Sequence, residues 1–303
     1  DYYASRGLGD VYKRQMYDEI LSNYTDSEIV QICKFLNKDY NIYEPDEVRW
    51  EKIKYAFYKT SEQTISELQK ETFSNEFINR LMLKYYACER VIKYHFIKYL
   101  KNAIHDIVAF EMSIGDSRID ICRINGKLCA YEIKTEYDNY DRLETQMKDY
   151  FSAFERVYII VPIQNAETVQ SYIPSQCGII TYRLDESGNM IFAYRRSAQD
   201  NKCDIDFCLN SLSSSDLVKI VKFLRLKPLK TKNENLELLL SVAKEKNIWA
   251  IYKLFLKEKY KEQWNYLREN FDKILPIDCQ SFFSSKMNPD LLYEREKNHM
   301  ACL

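Results

Sequence analysis

The stretch Glu111-Met-Ser-Ile-Gly-Asp-Ser-Arg-Ile-Asp120-Ile-Cys-Arg-Ile-Asn-Gly-Lys-Leu-Cys-Ala-Tyr-Glu132-Ile-Lys134 decides how this chain reads. Two β-rich segments meet at Asn125-Gly126, a strong hairpin signal. The first strand carries Asp120, the second a Glu-x-Lys, Glu132 and Lys134. Neighbouring carboxylates repel, so they stay ionised best around a cation. A hard oxygen-binding ion such as Mg²⁺ or Mn²⁺ suits that place. It would generate hydroxide and stabilise charge on a phosphoryl group.

Parity tests this idea, because strand side chains alternate between faces. A two-residue turn would set Asp120 opposite Tyr131 and send Glu132 to the other face. A three-residue loop, Ile124-Asn125-Gly126 with Gly126 left-handed, groups Arg118, Asp120, Leu128, Ala130, Glu132 and Lys134 instead. Ile119, Ile121, Cys129, Tyr131 and Ile133 then form an apolar face. The odd-length loop satisfies both pattern and chemistry. Glu111 alternates toward the same site, and is read more simply as a solvated strand residue.

Around this hairpin the periodicities predict a long helix over 76–102 and strands near 106–114, 117–124 and 127–135. A helix capped by Asp138 would bury Leu143, Met147, Tyr150 and Phe154. Val157-Tyr-Ile-Ile-Val161 reads as a buried strand parallel to its predecessor.

The stretch resembles the PD-(D/E)XK nuclease superfamily. The resemblance implies an α/β fold with a restriction-endonuclease-like core (α-β-β-β-α-β), flanked here by helical N- and C-terminal modules. Gln146 and Tyr150 match the Gln-x-x-x-Tyr motif of its exonuclease-like branch, and Glu89 is the best match to the glutamate its first helix contributes. The run Arg142-Leu143 to Val157-Tyr158 further resembles a family of uncharacterised bacterial and phage nuclease-like proteins. By this resemblance Asp120, Glu132, Glu89 and the Ile133 carbonyl would bind metal. Lys134 would orient the attacking water or stabilise developing charge, and Gln146 and Tyr150 would position water or the scissile phosphate. The implied activity is hydrolysis of DNA phosphodiesters with Mg²⁺ or Mn²⁺. The alternatives are a non-catalytic nucleic-acid-binding or assembly protein keeping this fold, and a phosphoesterase acting on RNA.

The 303 residues carry a formal charge of -1, so DNA affinity must come from local patches. There is no long uncharged apolar run to span a membrane and no secretory leader pattern, and the reading is cytoplasmic. The nine cysteines are scattered without metal-ligand spacing, as reduced buried thiols would be. Residues 1–15 resemble translated sequencing adapter and are expected outside the fold. The segments expected next are a helical module over 16–75, the nuclease-like core over 76–200, a basic helical module over 201–275, and a tail over 276–303. Within the module over 16–75, Ile20, Ile29, Ile32, Phe35 and Leu36 form one stripe, and Trp50, Ile53, Tyr55, Ala56 and Phe57 another. A short helix over 165–173 and a hairpin of 178–184 with 190–196 would extend the core. In the basic module Lys227, Lys230 and Lys232 flank Pro228 and would reach a nucleic-acid backbone.

Overall fold

A computed structural model describes residues 2–293 except 104, 186–188 and 244–245, with the side chains of 2–11 also left out. The chain divides into two units, one of residues 1–91 with 270–303, the other of 92–269.

The first unit opens with five helices: α1 (Tyr2–Ser22), α2 (Asp26–Lys38), α3 (Asp46–Ala56), α4 (Glu62–Glu71) and α5 (Ser74–Tyr85). Thr25 and Glu28 close a reciprocal capping box at the head of α2, which satisfies donors the first turn leaves orphaned. Residues 2–15, expected outside the fold, are helical backbone continuous with Met16, Tyr17 and Ile20, which are buried. Trp50, Ile53, Ala56 and Phe57 are buried as their spacing predicts, whereas Tyr55 and Phe35 turn outward and pack on each other.

The single long helix expected over 76–102 is two. The chain leaves α5 at Tyr86, whose non-helical backbone ends the helical run, and re-enters a helix as α6 (Glu89–Leu100). The division between the units falls inside α6, after Val91.

The second unit is mixed α/β, built on a six-stranded sheet in chain order. Its strands are β1 (Ile107–Ile114), β2 (Ser117–Ile124), β3 (Leu128–Ile133), β4 (Arg156–Pro162), β5 (Gly178–Leu184) and β6 (Met190–Arg196). β1, β2 and β3 form an antiparallel meander. β4 runs parallel to β3, β5 parallel to β4, and β6 returns antiparallel. The helix α7 (Leu143–Ala153) makes the β3–β4 crossover and buries Leu143, Met147 and Tyr150, with Phe154 just beyond. Asp138 does not cap it. That carboxylate accepts from the Thr135 amide at 2.7 Å, and α7 starts a turn later. The expected short helix over 165–173 is two 3₁₀ turns, Ile163–Asn165 and Thr168–Tyr172.

Phe96 of α6 packs on Tyr131, while Tyr150 of α7 bonds Glu132. Adjacent strand residues point to opposite faces, so the two helices sandwich the sheet. The helices α8 (Ile205–Asn210), α9 (Ser214–Phe223), α10 (Lys232–Val242) and α11 (Ile248–Asn270) complete this unit, α11 ending at its border. Ser213 caps α9 by accepting from the Asp216 amide, and the Asp216 carboxylate pairs with Lys259 of α11 at 2.7 Å.

Residues from 276 are not a bare tail. A 3₁₀ turn, Pro276–Asp278, leads into α12 (Cys279–Ser285), which buries Phe282 and Phe283 in the first unit. Asp278 is fully buried and accepts from Tyr40 at 2.7 Å and Tyr293 at 2.9 Å. Among the described residues the cysteines are free thiols, and burial pushes Cys33 and Cys177 up to about 12, away from nucleophilic reactivity. No described helix is long and apolar enough to cross a membrane.

Candidate active site

The hairpin keeps the parity expected of it but not the loop. The closing pair is Ile124 with Leu128, so the three loop residues are Asn125, Gly126 and Lys127. The expected loop would have set Arg123 against Lys127, two like charges directly opposed. Moving the turn by one residue pairs two fully buried aliphatic side chains instead. Gly126, at φ +102°, supplies the backbone that the turn needs.

The shift has a consequence at the other end of the strands. In this register Asp120 stands opposite Glu132 rather than Ala130. The β2–β3 ladder ends one step earlier, at Ile121 with Tyr131. There the Asp120 side chain replaces a backbone acceptor: its Oδ2 takes the Ile133 amide hydrogen at 2.7 Å. The β1–β2 ladder is interrupted in the same row. Phe110 pairs with Ile121 and Met112 with Ile119, and Glu111 between them adopts φ +52°. Glu111, Asp120 and Glu132 therefore occupy one row across three strands, where regular pairing gives way to side-chain bonds. A β position at positive φ is costly for a non-glycine residue and marks a locally constrained site.

Glu132 is almost wholly buried and its carboxylate is held on every side. Lys134 Nζ and Gln146 Nε2 each donate to Oε1 at 2.9 Å. The Tyr150 hydroxyl lies 2.8 Å from Oε2 and 3.0 Å from the Arg118 carbonyl, and donates its proton to one or the other. Gln146 also accepts from Lys134 at 3.1 Å, so its amide orientation is fixed from both ends. The i, i+4 spacing of Gln146 and Tyr150 puts both on the face of α7 that covers the sheet. Burial raises the Glu132 carboxyl above its ordinary value, and Lys134, Tyr150 and Gln146 oppose that rise. For Lys134, burial acts downward but Glu132, Asp120 and Asp138 more than offset it, so the ammonium is held above its ordinary value.

Sequence reading missed Lys93. Three residues before Phe96 on α6, its side chain is 1% exposed and pairs with Glu111 and, at 3.3 Å, with Asp120 Oδ1. Arg118 holds the other Glu111 oxygen at 2.5 Å. A lysine on an amphipathic helix ordinarily reads as surface. The available signal was its place one turn after Glu89 on the helix that precedes the meander. Glu89 itself heads α6, on the first unit's side of the division.

The basic patch is dispersed. Lys227 and Lys230 are exposed, but Lys232 is half-buried and donates to the Asn210 carbonyl at 3.0 Å. Lys253 and Lys259 are ion-paired with Glu155 and Asp216.

The model of the family described as bacteriophage P4 protein cII matches residues 82–281. Protein cII of Enterobacteria phage P4 is 33% identical over 70 residues, 23% of this chain and 26% of that protein, so the aligned part spans about a quarter of the curated relative. Among solved structures, a protein of unknown function from Silicibacter pomeroyi aligns with 45% of this chain and 87% of its own, at 13% identity and a TM-score of 0.29. SfsA from Pyrococcus furiosus, solved in complex with Ca²⁺, aligns with 35% of this chain and 60% of its own, at 14% identity and a TM-score of 0.22. The family match takes in α6, the whole sheet, α7 and the helices after it, and on that span the chain belongs to the bacteriophage P4 protein cII family.

Proposed function

We propose that this chain is a metal-dependent nuclease that hydrolyses DNA phosphodiester bonds on a restriction-endonuclease-like core. The observation that carries this reading is the buried Glu132 carboxylate, held at once by Lys134, Gln146 and Tyr150, with Asp120 opposed to it at the end of the hairpin ladder. The element order α6-β1-β2-β3-α7-β4 supports it, as that core requires helices and strands in this sequence.

The donor set fits a hard divalent ion such as Mg²⁺ or Mn²⁺, since Glu111, Asp120 and Glu132 offer only carboxylate oxygens. The Lys93 ammonium between Glu111 and Asp120 shows that positive charge is accommodated there. Asp120 and Glu132 would hold the ion, joined by Glu111 and the Ile133 carbonyl. Bound there, a divalent ion supplies Lewis-acid stabilisation of phosphoryl charge and makes a nearby water more acidic.

The protein's own groups do the rest. Lys134 is held protonated among carboxylates, so it serves as a cation and hydrogen-bond donor toward the attacking water or the phosphoryl oxygens, not as a base. Gln146 and Tyr150 act through Glu132. Tyr150 has no exposed surface, so its role is to fix the carboxylate rather than to touch substrate.

The test is incubation of linear, circular and single-stranded DNA with the full chain and Mg²⁺, Mn²⁺ or EDTA. Asp120→Asn and Glu132→Gln should each lower cleavage by about 10²-fold or more and weaken metal binding; Lys134→Ala should lower cleavage comparably while sparing the metal. Full activity in a folded Asp120→Asn protein would end this assignment.

A further inference from the structure

Lys93 has no part in the reaction just described, yet it is the most deeply buried ammonium at the site. Desolvating an ammonium costs several kcal/mol unless well-placed partners offset it. Here the partners are Glu111 and Asp120, and each is already held from a second side. Arg118 takes the other oxygen of Glu111, and the Ile133 amide takes Oδ2 of Asp120. The ammonium thus pairs with the very oxygens that an ion would need. A lysine suits such a place, being a compact point charge on a flexible stem.

Two cations cannot share those oxygens at contact distance without strong repulsion in a partly desolvated site. Resting on the metal-site reading above, we infer that Lys93 is a built-in counter-cation that keeps Glu111 and Asp120 together in the metal-free protein and must be displaced by an incoming divalent ion. Lys93 therefore lowers metal affinity, and the site loads only when the ion outcompetes its ammonium. The carboxylates stay gathered meanwhile, instead of separating by mutual repulsion.

The experiment is a Mn²⁺ titration of the full chain without DNA, read by calorimetry and by the electron-spin signal of free Mn²⁺. Lys93→Met keeps the length and apolar stem without the charge, and Lys93→Gln keeps a polar tip. Both should bind Mn²⁺ at least tenfold more tightly than the parent, and Mn²⁺ should raise their melting temperatures further. A purely structural lysine predicts the reverse, and unchanged or weaker Mn²⁺ affinity in either folded variant overturns the inference. Should both variants fold only when Mn²⁺ is supplied during refolding, the ion has replaced the missing charge and the inference stands. Failure to fold with Mn²⁺ present also overturns it. Asp120→Asn separates this result from the nuclease reading. Parent protein that binds no Mn²⁺ sinks both, whereas binding lost in Asp120→Asn but untouched in Lys93→Met sinks only the role of Lys93.

Discussion

Tyr150 joins helix to sheet through one hydroxyl, and that hydroxyl faces Glu132 rather than solvent. Its hydrogen bond is among the forces that lower the Glu132 carboxyl against burial. Tyr150→Phe removes that force while keeping the ring against Phe154. Glu132 should then hold its proton to higher pH. The acid limb of the cleavage profile should move upward, with activity at alkaline pH reduced less than at neutral pH. A profile displaced in parallel to lower rate, with no movement of the acid limb, would show that Tyr150 acts otherwise. Asp278 in the first unit gives a pH effect of a different kind. Burial raises its carboxyl to about 6, with Tyr40, Tyr293, Arg49 and Arg90 opposing. A raised carboxyl contributes fully below the unfolded value and loses that contribution as pH rises through the folded one. Stability should therefore fall between about pH 4 and pH 6, by roughly 3 kcal/mol from a shift of this size. In Asp278→Asn that part of the slope should vanish, which thermal unfolding at several pH values would show directly.

At the scale of elements, the C-terminal helices are structural parts of the second unit as well as basic ones. Tyr252, Phe255, Trp264 and Leu267 of α11 are fully or nearly buried, and Lys259 reaches across to Asp216. Removing everything after Ser211 would strip core as well as charge, so truncation is a poor probe of DNA binding. Point changes are cleaner. Lys227 and Lys230 are exposed in the segment between α9 and α10. Reversing both charges should weaken DNA binding and flatten its salt dependence, by about 0.9 in log–log slope for each lost phosphate contact. Lys232 should contribute less, since it is already bonded to the Asn210 carbonyl. Filter binding across a salt series measures this, and a slope unaltered by both reversals would leave these helices a covering role alone.

For the whole molecule, chain order conceals how the residues are grouped. Residues 270–303 belong with 1–91, so the first unit is closed by a segment that resumes nearly two hundred positions after Val91. The buried Asp278, bonded by Tyr40 and Tyr293, is one fastening of that closure. The second unit is continuous and carries the entire sheet, Lys93 and the carboxylate row. Lys227 and Lys230 lie in this same unit.

Local pattern was enough for the strands, for the parallel β3–β4 pairing, and for the meeting of Asp120, Glu132, Lys134, Gln146 and Tyr150, because alternation and helical spacing act over a few residues. The hairpin's parity was legible because one face had to be apolar. Its exact loop was not: parity tolerates a shift of two in pairing, and only the burial of Ile124 against Leu128 chose between registers. The break at Tyr86–Cys88 left no proline or glycine to announce it. The outward turn of Tyr55 and Phe35, and the return of residues 270–293 to the first unit, were likewise tertiary decisions. Lys93 and Glu111 belong to the same class. Their sequence neighbourhoods are those of ordinary surface residues, and only the packing of α6 against the meander brings ammonium and carboxylates together, where low water access makes each charge depend on the others.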